Sequence, residues 1–157
     1  MIIISDTSPL SALAEIGELE ILPALYGKIV IPETVRRECS HPHAPPALAV
    51  WLAKTGSKVV IVPDPVPLTT EASDLDPGEA AAISLAWLHR EDSLLIVDDK
   101  DGRKLCKALG LAMTGTAGLL LAAARRGLVN FEDVIQRLQA TSFRLHPSVL
   151  DDLRQKL

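Results

Sequence analysis

The sequence predicts an α/β protein with a parallel central sheet and helices on both of its faces. Three observations predict it. The runs 1–4 (Met-Ile-Ile-Ile) and 94–97 (Leu-Leu-Ile-Val) are unbroken and aliphatic, the composition of strands buried on both faces. Short apolar runs alternate with helical patterns along the chain, the order expected of βα units. Both of the strongest strands stop abruptly at acid, Ser5-Asp6-Thr7-Ser8-Pro9 after the first and Asp98-Asp99 after the second. In such sheets a site lies beyond the carboxyl ends of the strands, at the switch point in strand order.

Bulk properties agree with one domain over residues 1–157. A chain of this length buries about two-thirds of its unfolded surface. It is 48% hydrophobic but only 3% aromatic, so the core is aliphatic. No apolar run approaches the roughly 18 residues of a membrane span. An acid follows the first apolar residues almost at once and no basic region precedes them, which argues against a signal peptide. Cys39 and Cys106 lie inside apolar helical patterns and read as small core residues of a cytoplasmic protein. The net charge of −4 argues against a general nucleic-acid binder. It does not exclude an acidic site that attracts phosphate once loaded with cations.

Taken in order, the first strand is followed by helices over 9–16 and 18–26, ended by Gly17 and Gly27. Residues 28–31 form a second strand. Pro32 then opens a helix through Cys39, where its fixed φ and missing N–H cost nothing. His41-Pro42-His43-Ala44-Pro45-Pro46 breaks it. A helix over 47–54 leads to a third strand over 58–62. A proline-rich connection, 63–74, precedes the best-defined helix, from Asp76 to about Arg90. Strand 94–97 is followed by a basic helix from about 101 to 109, stopped by Gly110. A short fifth strand over 111–114 and helices over 116–126, 131–141 and 148–157 complete the chain.

The acids are the chemical signal. Asp6 could cap the first helix, but Thr7 and Ser8 cap equally well, which leaves its carboxylate free for function. Glu38 shares a helix face with Val35, so an inward stripe carries a carboxylate. Glu33 is its rival, explained by the helix dipole. Glu79 is open between two readings, since Asp76-x-x-Glu79 is close to a capping box. Asp98 and Asp99 cannot both face inward, because side chains alternate along a strand. One would bind a metal and the other would cap the next helix or orient a ligand, and which does which is left open. Two like charges about 4 Å apart repel by roughly 4 kcal/mol at an effective dielectric near 20, so such a cluster needs protons or cations. Oxygen ligands without His or Cys suit Mg²⁺ or Mn²⁺. Such ions activate water and stabilise charge on a phosphodiester. The four histidines show no zinc-like spacing with the cysteines.

Lys100, Lys104 and Lys107 fall on one face of the basic helix, with Arg103 nearby, while Leu105, Cys106 and Leu109 face the core. The face is either simply solvated or a contact for a nucleic-acid backbone. Thr114-Gly115-Thr116 opens the next helix and either offers N–H groups and a hydroxyl to phosphate or merely caps.

Five motifs in order resemble the PIN-domain family, in particular a prokaryotic subgroup. They are Ser5-Asp6-Thr7-Ser8-Pro9-Leu10, Ile31-Pro32-Glu33-Thr34-Val35-Arg36-Arg37-Glu38, Asp76-Pro77-Gly78-Glu79-Ala80-Ala81-Ala82-Ile83, Asp98-Asp99-Lys100-Asp101-Gly102-Arg103-Lys104 and Thr114-Gly115-Thr116. The resemblance implies a three-layer α/β/α sandwich and a Mg²⁺- or Mn²⁺-dependent endoribonuclease. Its acidic pocket would use Asp6, Glu38, Glu79 and Asp98 or Asp99, which favours Glu79 as a site residue. Ser8 or Thr116 would position phosphate, and Lys100, Arg103 and Lys104 would hold the RNA backbone. The resemblance also implies a toxin role, a small antitoxin partner and a homodimer. Against the common toxin pattern, the third acid comes at a helix start and the fourth is a double Asp without a following aromatic. The alternative is a non-catalytic module binding RNA or protein. A phosphotransfer receiver is disfavoured, since it would carry paired acids after the first strand, where only Asp6 stands.

Overall fold

A computed structural model describes residues 1–68 and 74–157. Residues 69–73 of the expected connection 63–74 lie outside the described residues. Strands β1 (Ile2–Ser5), β2 (Ile29–Pro32), β3 (Val59–Val62), β4 (Ser93–Ile96) and β5 (Met113–Thr114) form one sheet in the order β3-β2-β1-β4-β5. Every pairing is parallel. The chain moves outward from β1 to β3 and then crosses back to β4 on the other side of β1. The switch point therefore lies between β1 and β4, the two strands that end in acid.

Among the described residues the helices are α1 (Thr7–Glu15), α2 (Ile21–Tyr26), α3 (Glu33–Cys39), α4 (Pro46–Lys54), α5 (Pro77–Leu88), α6 (Lys100–Ala108), α7 (Thr116–Arg125), α8 (Phe131–Gln139) and α9 (Pro147–Gln155). Alternation along the strands divides the core. Ile3, Ile29, Ile31 and Ile96 point into a larger cluster with Leu13, Leu22, Leu48, Leu119, Val134 and Leu150. Ile4, Leu95 and Val97 point the other way, onto Ala82, Ile83 and Ala86 of α5 and Cys106 of α6. The result is an α/β/α sandwich, as the buried, unalternating strands require. Both cysteines are buried and unpaired, and burial, more than neighbouring acids, pushes their thiols up to about 12 and about 11.

Several boundaries differ from expectation by one to three residues, and three of them bear on how the chain enters the site. Pro32 is the last residue of β2 and the N-cap of α3 rather than its first helical residue. Its ψ of 157° is extended, and at a strand end its missing N–H costs nothing. A proline has no capping side chain, so Asp64 serves α3 from beyond β3, accepting from the Thr34 N–H at 3.0 Å. Strand β4 begins and ends one residue early, which turns Val97 into the buried link to Asp98. Helix α5 stops at Leu88, ahead of the expected Arg90.

Candidate active site

Asp6 leaves β1 at the N-cap position of α1 without a side-chain capping bond. Its N–H instead donates to the Ile96 carbonyl at 3.1 Å, tying the ends of β1 and β4 together. The carboxylate is thus held at the switch point and is only 4% exposed.

Glu38 reaches the same place from α3. Val35 and Cys39 bury the inner face of that helix, and Glu38, half-buried beside them, follows the face predicted for it. The Thr7 hydroxyl donates to Glu38 Oε1, and the Gly78 N–H donates to Oε2 at 3.2 Å. Its two partners are thus the chain neighbours of Asp6 and of Glu79. Glu33 is occupied elsewhere, paired with Arg36 at 2.8 Å.

The capping box is not formed, because Asp76 makes no side-chain cap bond at the start of α5. Glu79 is 5% exposed and lies among the carboxylates of Asp6, Asp99 and Asp76. Asp76 was read from the sequence only as a cap, yet its charge acts on both Asp6 and Glu79. A helix-starting Asp is such a common cap that nothing in the sequence distinguishes this one.

The double Asp divides its work. Asp99 caps α6, accepting from the Asp101 and Gly102 N–H groups at 3.0 Å each, and its charge also acts on Glu79. Asp98 points to the neighbouring helix, where the Thr116 N–H donates to Oδ1 at 2.7 Å and the Thr116 hydroxyl to Oδ2 at 2.6 Å.

Three glycines make these approaches possible. A Cβ on Gly78 would overlap the Glu38 carboxylate, standing 2.7 Å from its Cδ. A Cβ on Gly102 would stand 2.8 Å from Glu79 Cδ, and one on Gly115 would stand 2.7 Å from Asp98 Oδ1. Each of three acids is therefore seated on the backbone of the next segment around the site. The available signal was glycine inside two helices, Gly78 and Gly102, where it costs about 1 kcal/mol against alanine.

Burial and mutual repulsion set the charge state. Burial raises the Asp6 carboxyl to about 7, helped by the charges of Glu38, Asp98 and Asp76 against the opposing Thr7 N–H. Burial raises Glu79 to about 8, helped by Asp6, Asp99 and Asp76. Burial also raises Asp98, against the lowering effect of Thr116 and Arg103. Among the described residues no three Asp, Glu, His or Cys side chains are closed around one point as a finished metal cage. In kind, the donors fit a hard divalent cation, being carboxylate oxygens throughout. Asp6 and Glu79 carry the burial and repulsion that a cation would relieve.

The expected substrate contacts fare differently. Lys100 and Lys104 are exposed on α6, and Ser8 is exposed at the start of α1. Thr116 is fully buried, and its N–H and hydroxyl both donate to Asp98. Arg103 is half-buried, and its Nη1 donates to the Val97 carbonyl at 2.9 Å. It braces the chain before Asp98 and offsets that residue's charge.

The chain is thus a parallel α/β/α domain with carboxylates gathered at its switch point. The family model described as DUF3368, PIN domain, matches residues 2–157, and the chain belongs to the PIN-domain family. Nuclease activity and dependence on divalent metal are typical of PIN domains. Among solved structures, the chain is similar to a PilT N-terminus domain protein from the hyperthermophilic archaeon Sulfolobus solfataricus. That likeness has a TM-score of 0.52 at 19% identity and covers 93% of this chain and 100% of the other. No curated protein matches the chain. No helix among the described residues is long and apolar enough to cross a membrane.

Proposed function

We propose that the chain is a divalent-metal-dependent endoribonuclease hydrolysing RNA phosphodiester bonds. The observation that carries this reading is the convergence of Asp6, Glu38, Glu79, Asp98 and Asp99 on the β1/β4 switch point, with Asp6 and Glu79 both buried and the Asp6 charge acting on Glu79. Asp6 and Glu79 would hold Mg²⁺ or Mn²⁺, with Glu38, Asp98 and Asp99 completing the acidic field. When bound, the cation supplies positive charge for the phosphate oxygens and acidifies water. Thr7 and Gly78 orient Glu38, Thr116 orients Asp98, Arg103 holds the Val97 carbonyl before it, and these bonds fix the pocket before substrate arrives. Exposed Lys100 and Lys104 attract the RNA backbone, and Ser8 contacts a phosphate at the mouth. The family tie further supports a cytoplasmic toxin role, a small antitoxin partner and a homodimer.

The test is cleavage of single-stranded RNA with Mn²⁺ by the wild type, Asp6→Asn and Glu79→Gln. Loss of one group that stabilises developing charge costs about 10²–10³ in rate, and each variant is expected to lose at least that. Cleavage that survives both substitutions would sink the assignment. The open arrangement of the acids favours a second reading, a module that binds RNA or protein without cutting. Binding of RNA with no cleavage at any Mn²⁺ concentration would select it.

A further inference from the structure

Phe143 has no part in the carboxylate cluster, yet it borders two cavities, one of which reaches Asp98. One is shared with Thr7, Ser8 and Ser11 on the α1 side. The other, of about 410 Å³, is shared with Asp98, Arg103, Arg144, Leu145 and Val149. The second falls within the roughly 300–1,000 Å³ of small-ligand sites. Aromatic residues are scarce in this chain, and the other phenylalanine, Phe131, is buried in the core. The segment carrying Phe143 is pinned. Its N–H donates to the Thr141 hydroxyl at 3.1 Å. Arg144 Nη1 closes the turn onto the Thr141 and Phe143 carbonyls at 2.6 and 3.1 Å. The side chain is half-buried, packed against the larger core and still bordering both cavities.

We infer that Phe143 is the platform of a nucleobase subsite, on which a base of single-stranded RNA next to the cleaved phosphate stacks. The inference rests on the proposed ribonuclease reading and names the substrate class that reading needs, an unpaired strand. An aromatic held on a rigid turn stacks on any base, because every base has a π-face. The apolar lining from Leu145 and Val149 suits the flat body of a base, and the guanidinium of Arg144 on the rim suits the phosphate that follows it. A paired duplex would leave Phe143 without a partner, since its bases are stacked on each other.

The experiment measures binding of pentaribonucleotides, one intact and five with a single abasic position, to the full chain carrying Asp6→Asn. The same background is combined with Phe143→Ala, Phe143→Leu or Phe143→Trp, with melting curves to confirm folding. Phe143→Ala and Phe143→Leu are expected to weaken the intact strand about tenfold or more. They should leave unchanged the one abasic strand that lacks the stacked base, whereas Phe143→Trp keeps tight binding. Leucine preserves the packing, so its loss of affinity reports stacking and not folding. Equal weakening of intact and all abasic strands, or no weakening, overturns the subsite. If wild type fails to cleave RNA while one abasic position still couples to Phe143, the ribonuclease reading falls and the subsite stands.

Discussion

Asp6 and Glu79 are the residues whose chemistry the fold works hardest to impose. Both belong to a protein interior that disfavours charge, and each has acidic neighbours. The sign of the pH effect follows from linkage. A carboxyl whose folded pKa is raised binds a proton in the native state over a range where the unfolded chain has released it. Stability therefore falls as pH rises through that range. For Asp6 the window runs from about 4 to about 7, and for Glu79 from about 4.5 to about 8. A rise of this size corresponds to about 5 kcal/mol at most for either group, and the two are coupled, so the effects do not add. Without metal, wild type is expected to melt lower at pH 8 than at pH 5. Asp6→Asn should raise the pH 8 midpoint by about 5–10 °C, with a smaller gain at pH 5. Equal melting of wild type at the two pH values in EDTA would contradict this.

At the scale of elements, the site is built by helix ends lying against one another's backbones. Helix α3 sets Glu38 on Gly78 of α5, α5 sets Glu79 on Gly102 of α6, and Asp98 before α6 sits on Gly115 before α7. In an exposed helix, glycine to alanine gains about 1 kcal/mol. Here Gly78→Ala should do the reverse. It overpacks the Glu38 carboxylate and is expected to cost about 1–3 kcal/mol in thermal melting. Adding Glu38→Ala should recover most of that loss; a single Gly78→Ala as stable as wild type would disprove the seating. These contacts mark where sequence reading runs out. The strands, the helices and the face carrying Glu38 follow from local periodicity, and Asp6 and the double Asp follow from their place at strand ends. The division of labour between Asp98 and Asp99, the Asp76 carboxylate left out of capping and the bonding of Thr116 to Asp98 depend on how α5, α6 and α7 meet. Those are long-range packings with no local pattern to announce them.

The whole molecule supplies the switch point. An all-parallel sheet in the order β3-β2-β1-β4-β5 puts the carboxyl ends of β1 and β4 side by side, and the crossovers after β2 and β3 bring Glu38 and Glu79 to the same edge. Strand order was not readable from the sequence, yet alternation of strands and helices limited it to arrangements with such an edge. A divalent cation that binds only the folded chain stabilises it by about 2.7 kcal/mol at one hundred times its dissociation constant. Mn²⁺ is accordingly expected to raise the melting midpoint of wild type at pH 8 by about 5–10 °C and to leave an Asp6→Asn/Glu79→Gln double variant unchanged. The most direct test is calorimetric titration of Mn²⁺ at pH 7.5 in buffers of different ionisation enthalpy, because metal binding must expel the protons held by its ligands. With Asp6 near 7 and Glu79 near 8, wild type should bind Mn²⁺ with release of about one proton, and the double variant should neither bind tightly nor release any. Equal Mn²⁺ affinity in the double variant, or binding by wild type without proton release, would contradict the account.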